Sequence, residues 1–146
     1  MQIALSALAL VAGLLLTVQV GFNAALRNAF GHPGLAALAN FLVGSVGLLA
    51  YVLISRADWP GRAALSVPPV WAWFGGLLGA FYVASAVVVG PRLGAAALLA
   101  LTVLGQLVAS LIVDNYGWLG FPQQPFTLAR LAGAGLLLVG VILIVR

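Results

Sequence analysis

The sequence predicts an all-α integral membrane protein with five transmembrane helices. Of its 146 residues, 64% are hydrophobic and only 5% are charged, whereas soluble domains carry about 25% charged residues. A soluble domain of this length would have to expose much of that apolar surface to water. Lipid accepts such a surface, so composition alone indicates a membrane protein.

Five apolar runs approach or exceed the roughly 20 residues that a helix needs to cross a bilayer. The predicted helices comprise residues 2–29, 34–54, 70–89, 94–113 and 128–145. All seven prolines fall between these runs, where the missing N–H costs no helical hydrogen bond. The first run has no basic segment before it and exceeds a signal-peptide core, which favours a retained helix. We therefore expect a single transmembrane domain over residues 1–146.

The connections between the predicted helices differ in length. Residues 90–93, Gly-Pro-Arg-Leu, predict a tight turn that makes the third and fourth helices antiparallel neighbours. Residues 114–127 form the longest connection and contain two glycines and two prolines. Tryptophans near the predicted ends are typical of the aromatic belts at membrane interfaces.

The arginines are balanced across the expected topology. All six basic residues are Arg, and five helices place three of them on each side of the membrane. The positive-inside rule needs an excess on one side. The balance favours dual topology, with the chain inserting in both orientations and pairing as an antiparallel dimer. Alternatively, so few charges cannot establish an orientation by counting.

Two helices carry polar residues on one face. Gln19, Asn23 and Arg27 follow each other at four-residue spacing in the first helix, and Gln106, Ser110 and Asp114 do so in the fourth; both sets are candidate cavity-lining residues. Polar groups within lipid are costly and often functional. The alternative is that the amides and the hydroxyl only form hydrogen bonds between helices.

Arg27 and Asp114 lie near opposite membrane faces within one chain. In an antiparallel dimer, Arg27 of one chain would lie at the level of Asp114 of the other. We expect them to form a gating pair between protomers, unless both are ordinary interface charges.

Small and aromatic residues mark further helix faces. Gly75, Gly76 and Gly79 include a GxxxG spacing that lets helices pack closely. Phe41 and Tyr82 are candidate aromatic walls of a cavity, or else face lipid or the bundle interior.

Several kinds of chemistry have no residues to support them. The sequence contains no Cys, no Glu and a single His, which leaves no metal-ligand cluster and no nucleophile–base pair. The arginines form no basic patch. We therefore expect no metal, no cofactor, no nucleic-acid partner and no enzymatic activity.

An ordered set of segments resembles the YdcZ-type proteins, small five-helix members of the drug/metabolite transporter superfamily. The segments are residues 19–26, Gly31, Pro33, Asn40–Phe41, Gly44, 75–76, 79–83, 91–94, 105–107, 110–117, Arg130, Gly133 and 140–141. Larger relatives have ten helices in two inverted five-helix repeats. The resemblance therefore implies a half-transporter that pairs with an inverted copy or a related chain.

The resemblance implies an exporter of a small metabolite or drug-like compound in the inner membrane, working by alternating access. The small multidrug-resistance relatives use a Glu in their first helix, and this chain has none. The expected substrate-binding residues are Gln19, Asn23, Asn40, Phe41, Tyr82, Gln106 and Ser110. There are two alternatives: a translocase for lipids or lipid-linked precursors, or a membrane scaffold subunit that transports nothing. In each case membrane lipids surround the chain.

Overall fold

The computed structural model describes residues 2–146, and every regular element in that range is helical. Five segments are long and apolar enough to cross a membrane. They are α1 (Gln2–Phe30), α2 (Pro33–Ile54), α3 (Gly75–Leu93, preceded by a 3-10 turn, Val70–Phe74), α4 (Ala95–Tyr116) and α5 (Leu128–Val145). The prediction of five helices long and apolar enough to span a membrane is confirmed.

The helix ends follow from local chemistry. Gly31 has a φ of 70° and ends α1, and its N–H donates to the carbonyl of Arg27. The side chain of His32 then accepts from the N–H of Gly34, and Pro33 occupies the first helical position of α2. Two residues are therefore sufficient to join α1 and α2, which pack against each other as a helical hairpin.

The third helix differs from its predicted bounds. It continues through Leu93 and contains Pro91, although proline was expected only between helices. The segment 90–93 is therefore helical rather than a turn. The break lies at Gly94, whose φ of 83° is poorly accessible to other residues.

The fourth helix is also longer than predicted, because it reaches Tyr116 rather than residue 113. Gly117 ends it with a φ of 64°, and a Cβ there would meet the Cβ of Gln123 at 3.2 Å. A 3-10 turn, Trp118–Gly120, and an extended segment lead to Thr127, whose side chain accepts from the N–H of Arg130 at the start of α5.

The helices group into two compact units, residues 1–91 and 92–146. In the first unit, the small side chains of Ala36 and Ala37 on α2 and Val83 and Val87 on α3 form a buried core. In the second unit, α4 and α5 pack against each other. Large apolar side chains such as Leu14 (69% exposed) and Leu136 (74% exposed) remain on the surface, which lipid would cover.

Candidate functional site

A cavity of about 350 Å³ lies in the first unit and contains three of the predicted site residues. Gln19, on α1, donates from Nε2 to Oδ1 of Asn40, on α2, at 3.5 Å. That distance is at the limit for a hydrogen bond. Phe41 follows Asn40 and is the third predicted residue in the lining.

The remaining lining was not predicted from the sequence. It comprises Val43, Gly44, Ser45, Leu48 and Val83. A signal for most of these residues is present, because positions 40, 41, 44, 45 and 48 share one face of a helix. The lining is therefore apolar apart from two amides and the hydroxyl of Ser45, and none of its eight residues is charged.

The two amides retain unused hydrogen-bonding capacity. Each carboxamide offers two N–H donors and an acceptor oxygen. Their mutual bond uses one donor of Gln19 and one lone pair of Asn40. Both side chains are half-buried, so the remaining groups can bind a small molecule in the cavity.

Arg27 has a structural partner inside the first unit. Its Nη1 donates to the main-chain carbonyl oxygen of Val87 at 3.2 Å. In an α-helix that carbonyl would accept from the N–H of residue 91, but residue 91 is a proline and has none. Arg27 therefore satisfies a carbonyl that Pro91 leaves without its helical donor, and this contact helps α3 to continue past Pro91.

Asn23 lies between Gln19 and Arg27 on the same face of α1 and is only 3% exposed. Its Oδ1 has no hydrogen-bond partner among residues 2–146. A buried amide oxygen without a donor is costly. The predicted polar face of α1 thus has three differently placed members: Gln19 lines the cavity, Asn23 is buried, and Arg27 contacts α3.

Tyr82 is not among the cavity-lining residues, although it was predicted as a candidate wall. It is half-buried and packs against the small core of Ala36, Ala37, Val83 and Val87. The structure accounts for it through packing.

The glycines of α3 have different surroundings. A Cβ at Gly79 would lie 3.6 Å from Cζ of Phe41, which is ordinary van der Waals contact. No atom beyond the immediate helix lies within 4 Å of a Cβ built at Gly75 or Gly76. Of the three predicted packing positions, only Gly79 closely approaches another helix of the described chain.

The second unit leaves two predicted site residues on its surface. Gln106 and Ser110 are exposed on α4. Their side chains form no hydrogen bond with other residues of the described range 2–146. An amide facing lipid is unfavourable, so this face of α4 suits contact with a partner.

Asp114 forms an ion pair with Arg130 of α5, a partner that the sequence interpretation missed. The same guanidinium donates from Nη1 to the carbonyl of Gln124 at 2.9 Å. The sequence contained a signal for this ion pair, because Asp114 and Arg130 carry opposite charges near the two ends of the connection between α4 and α5. The predicted gating pair of Arg27 and Asp114 stays a prediction, and forming it would require both residues to exchange or share their present partners.

The described chain offers no obvious metal site. Within residues 2–146, no three His, Asp or Glu side chains cluster closely enough to hold a metal ion. The two acidic residues of the sequence are Asp58, in the connection after α2, and the ion-paired Asp114.

The comparison with protein families agrees with a transport role. The family model described as "Putative inner membrane exporter, YdcZ" matches residues 4–143, which include parts of all five helices. Searches of curated proteins and of solved structures gave no match. An exporter is a transporter rather than an enzyme. The resemblance in the sequence is confirmed, and the chain belongs to the YdcZ family.

Proposed function

We propose that this chain is a half-transporter that exports a small molecule across the inner membrane by alternating access as an antiparallel homodimer. The observation that carries the proposal is the cavity between α1 and α2, where Gln19 and Asn40 place hydrogen-bonding groups within an apolar hairpin. Pockets of this kind, apolar with a few convergent polar groups, are typical of small-molecule sites.

Pairing with a second copy is supported by the surface of α4. Gln106 and Ser110 are exposed on a helix that is otherwise apolar enough to cross a membrane. A partner chain would remove these groups from lipid. In a ten-helix bundle of the drug/metabolite transporter type, Gln106 and Ser110 of each copy would contribute polar groups to the transport path.

The antiparallel arrangement rests on the balance of three arginines against three. A chain without an Arg excess on either side can insert in both orientations. Two inverted copies would then reproduce an inverted repeat. A heterodimer with a related five-helix chain would satisfy the same requirement.

Transport is tested by reconstituting the purified protein in liposomes and exposing them to a cell metabolite extract. Mass spectrometry of the vesicle contents should find at least one solute enriched over protein-free vesicles and depleted with the Gln106→Ala variant. If no solute moves, a scaffold role is favoured. If only lipids redistribute between leaflets, the chain is a lipid translocase.

Dual topology is tested with single-cysteine variants, because the natural sequence contains no Cys. A cysteine at Ala57 and, in a second variant, one at Ala29 should each be labelled from both sides of the membrane. The two positions lie near opposite ends of α2. Labelling of each position from one side only would rule out the antiparallel homodimer.

A further inference from the structure

We infer that the substrate is an uncharged molecule that presents a hydrogen-bond donor beside an acceptor, as a primary amide does, and that Gln19 and Asn40 recognise this group. This inference rests on the proposed transport function and names its substrate class. It follows from the positions of the charged side chains and from the hydrogen-bonding groups of Gln19 and Asn40 that their mutual bond leaves unused.

A cationic substrate within a membrane would be stabilised most strongly by a carboxylate in the cavity. The sequence has two acidic residues. Asp58 lies in the connection after α2, and Asp114 is paired with Arg130 at the far end of α4. A homodimer adds only the second copies of the same two residues, and the second Asp114 would again be paired with its own Arg130. A cation in the cavity would remain without a counter-ion, at considerable cost within a membrane.

An anionic substrate would need a free cation. Arg27 is the arginine nearest along α1, but it lies eight residues from Gln19, which is about 12 Å along a helix. It is not among the residues that line the cavity. Its Nη1 serves the carbonyl of Val87. This bond uses one of the five N–H donors of the guanidinium and directs the group towards α3, outside the cavity lining.

The polar groups that do line the cavity are all neutral. Gln19 and Asn40 each combine donors with an acceptor, and their single long bond can be replaced at little cost. A ligand amide can accept from one carboxamide and donate to the other. Phe41 and Leu48 in the same lining suit an apolar body attached to that group. A volume of about 350 Å³ accommodates a small molecule of this kind.

The inference is tested with three planar probes of nearly equal size: benzamide (neutral), benzoate (anionic) and benzamidinium (cationic). Thermal unfolding of the purified full-length protein in detergent is measured with each probe at equal concentration. Benzamide should raise the Tm by ~2 °C or more, because a ligand that binds only the folded state stabilises it. Benzoate and benzamidinium should produce no comparable rise.

Variants of the cavity residues test whether the rise in Tm with benzamide depends on Gln19 and Asn40. Gln19→Leu and Asn40→Leu should abolish the rise with benzamide. Asn28→Leu is the matched control, since Asn28 is an exposed amide on α1 outside the cavity, and it should retain the rise. Gln19→Glu adds a carboxylate to the cavity and should transfer the stabilisation from benzamide to benzamidinium, a gain that a misfolded protein cannot show.

Several results would overturn the inference. A larger rise with benzoate or benzamidinium in the natural protein would show that a charge lies within reach of the site. No rise with any probe, or a rise that Asn28→Leu removes equally, would also contradict it. If the uptake screen moves only charged solutes, the substrate class is wrong while transport stands. If benzamide binds through Gln19 but no solute moves in the uptake screen, the binding site is supported and the proposed transport function is contradicted.

Discussion

Arg27 donates a hydrogen bond from its guanidinium to the main-chain carbonyl of Val87, the carbonyl whose helical donor is missing because residue 91 is proline. Val87 is 1% exposed, so this carbonyl lies in the core of the first unit. Without Arg27 it would be a buried acceptor lacking its usual donor. An arginine near the end of one membrane helix thus compensates for a proline inside another.

Arg27→Ala is expected to lower the free energy of unfolding by about 1–3 kcal/mol, because it leaves the Val87 carbonyl without a donor. Pro91→Ala supplies the missing N–H, so the loss caused by Arg27→Ala should be smaller in that background. Unfolding of the four proteins of this double-mutant cycle in mixed micelles measures the coupling. Arg62→Ala, an exposed arginine in the connection after α2, is the control. Strictly additive losses would show that Arg27 and Pro91 act independently.

Asn23→Leu is expected to leave stability unchanged or to raise it by about 1 kcal/mol, because it removes a buried oxygen that has no donor. Its solute uptake should nevertheless fall if Asn23 takes part in substrate binding. Asn40→Leu is the comparison variant, and it should be mildly destabilising because it leaves the half-buried amide of Gln19 without its weakly bound partner. A clear loss of stability in Asn23→Leu would mean that a partner chain supplies a donor to Oδ1.

Asp114→Asn and Arg130→Gln are each expected to lower the free energy of unfolding by up to about 1 kcal/mol. The two side chains are 22% and 30% exposed, so solvent screens much of their attraction. A double-mutant cycle in thermal unfolding should show coupling between Asp114→Asn and Arg130→Gln. Arg92 is an exposed arginine, so the control variant Arg92→Gln should show no coupling with Asp114→Asn. A stronger coupling of Asp114 with Arg27 than with Arg130 would instead support the gating pair between protomers.

Gly79→Ala is expected to be tolerated, with a gain of about 0.5–1 kcal/mol from helix propensity, because the added Cβ would be in ordinary contact with Phe41. In Gly75→Leu and Gly76→Leu, the added Cβ would meet no atom beyond the immediate helix within 4 Å. They should weaken association only if a second copy packs on this face. Cross-linking and thermal unfolding of the same three variants separate the two effects, and unchanged dimerisation in both leucine variants would exclude that face.

The five helices could be predicted from the sequence because hydrophobic length is a local property. α5 begins at Leu128 and ends at Val145, as its apolar run indicates. The prediction fails at residue 91, where proline normally ends a helix. The donor that compensates for it is Arg27, more than sixty residues earlier, and no local pattern contains that information.

The candidate site could be predicted only in part, for the same reason. Four-residue spacing placed Gln19, Asn23 and Arg27 on one face of α1, but spacing cannot distinguish a cavity wall from a buried side chain or a helix contact. The structure assigns these three places separately: Gln19 lines the cavity beside Asn40 of α2, Asn23 is buried, and Arg27 contacts α3.

The sequence by itself determined that this chain lies in a membrane, that it has five spanning helices and that it resembles the YdcZ family, because composition, apolar length and ordered motifs can be read along the chain. Only the tertiary structure decided that Asn40 meets Gln19, that Asp114 pairs with Arg130 and that Arg27 serves the Val87 carbonyl. Hydrogen bonds and ion pairs act over a few ångströms between distant residues. They depend on which helix faces pack together, and that is a property of the folded chain.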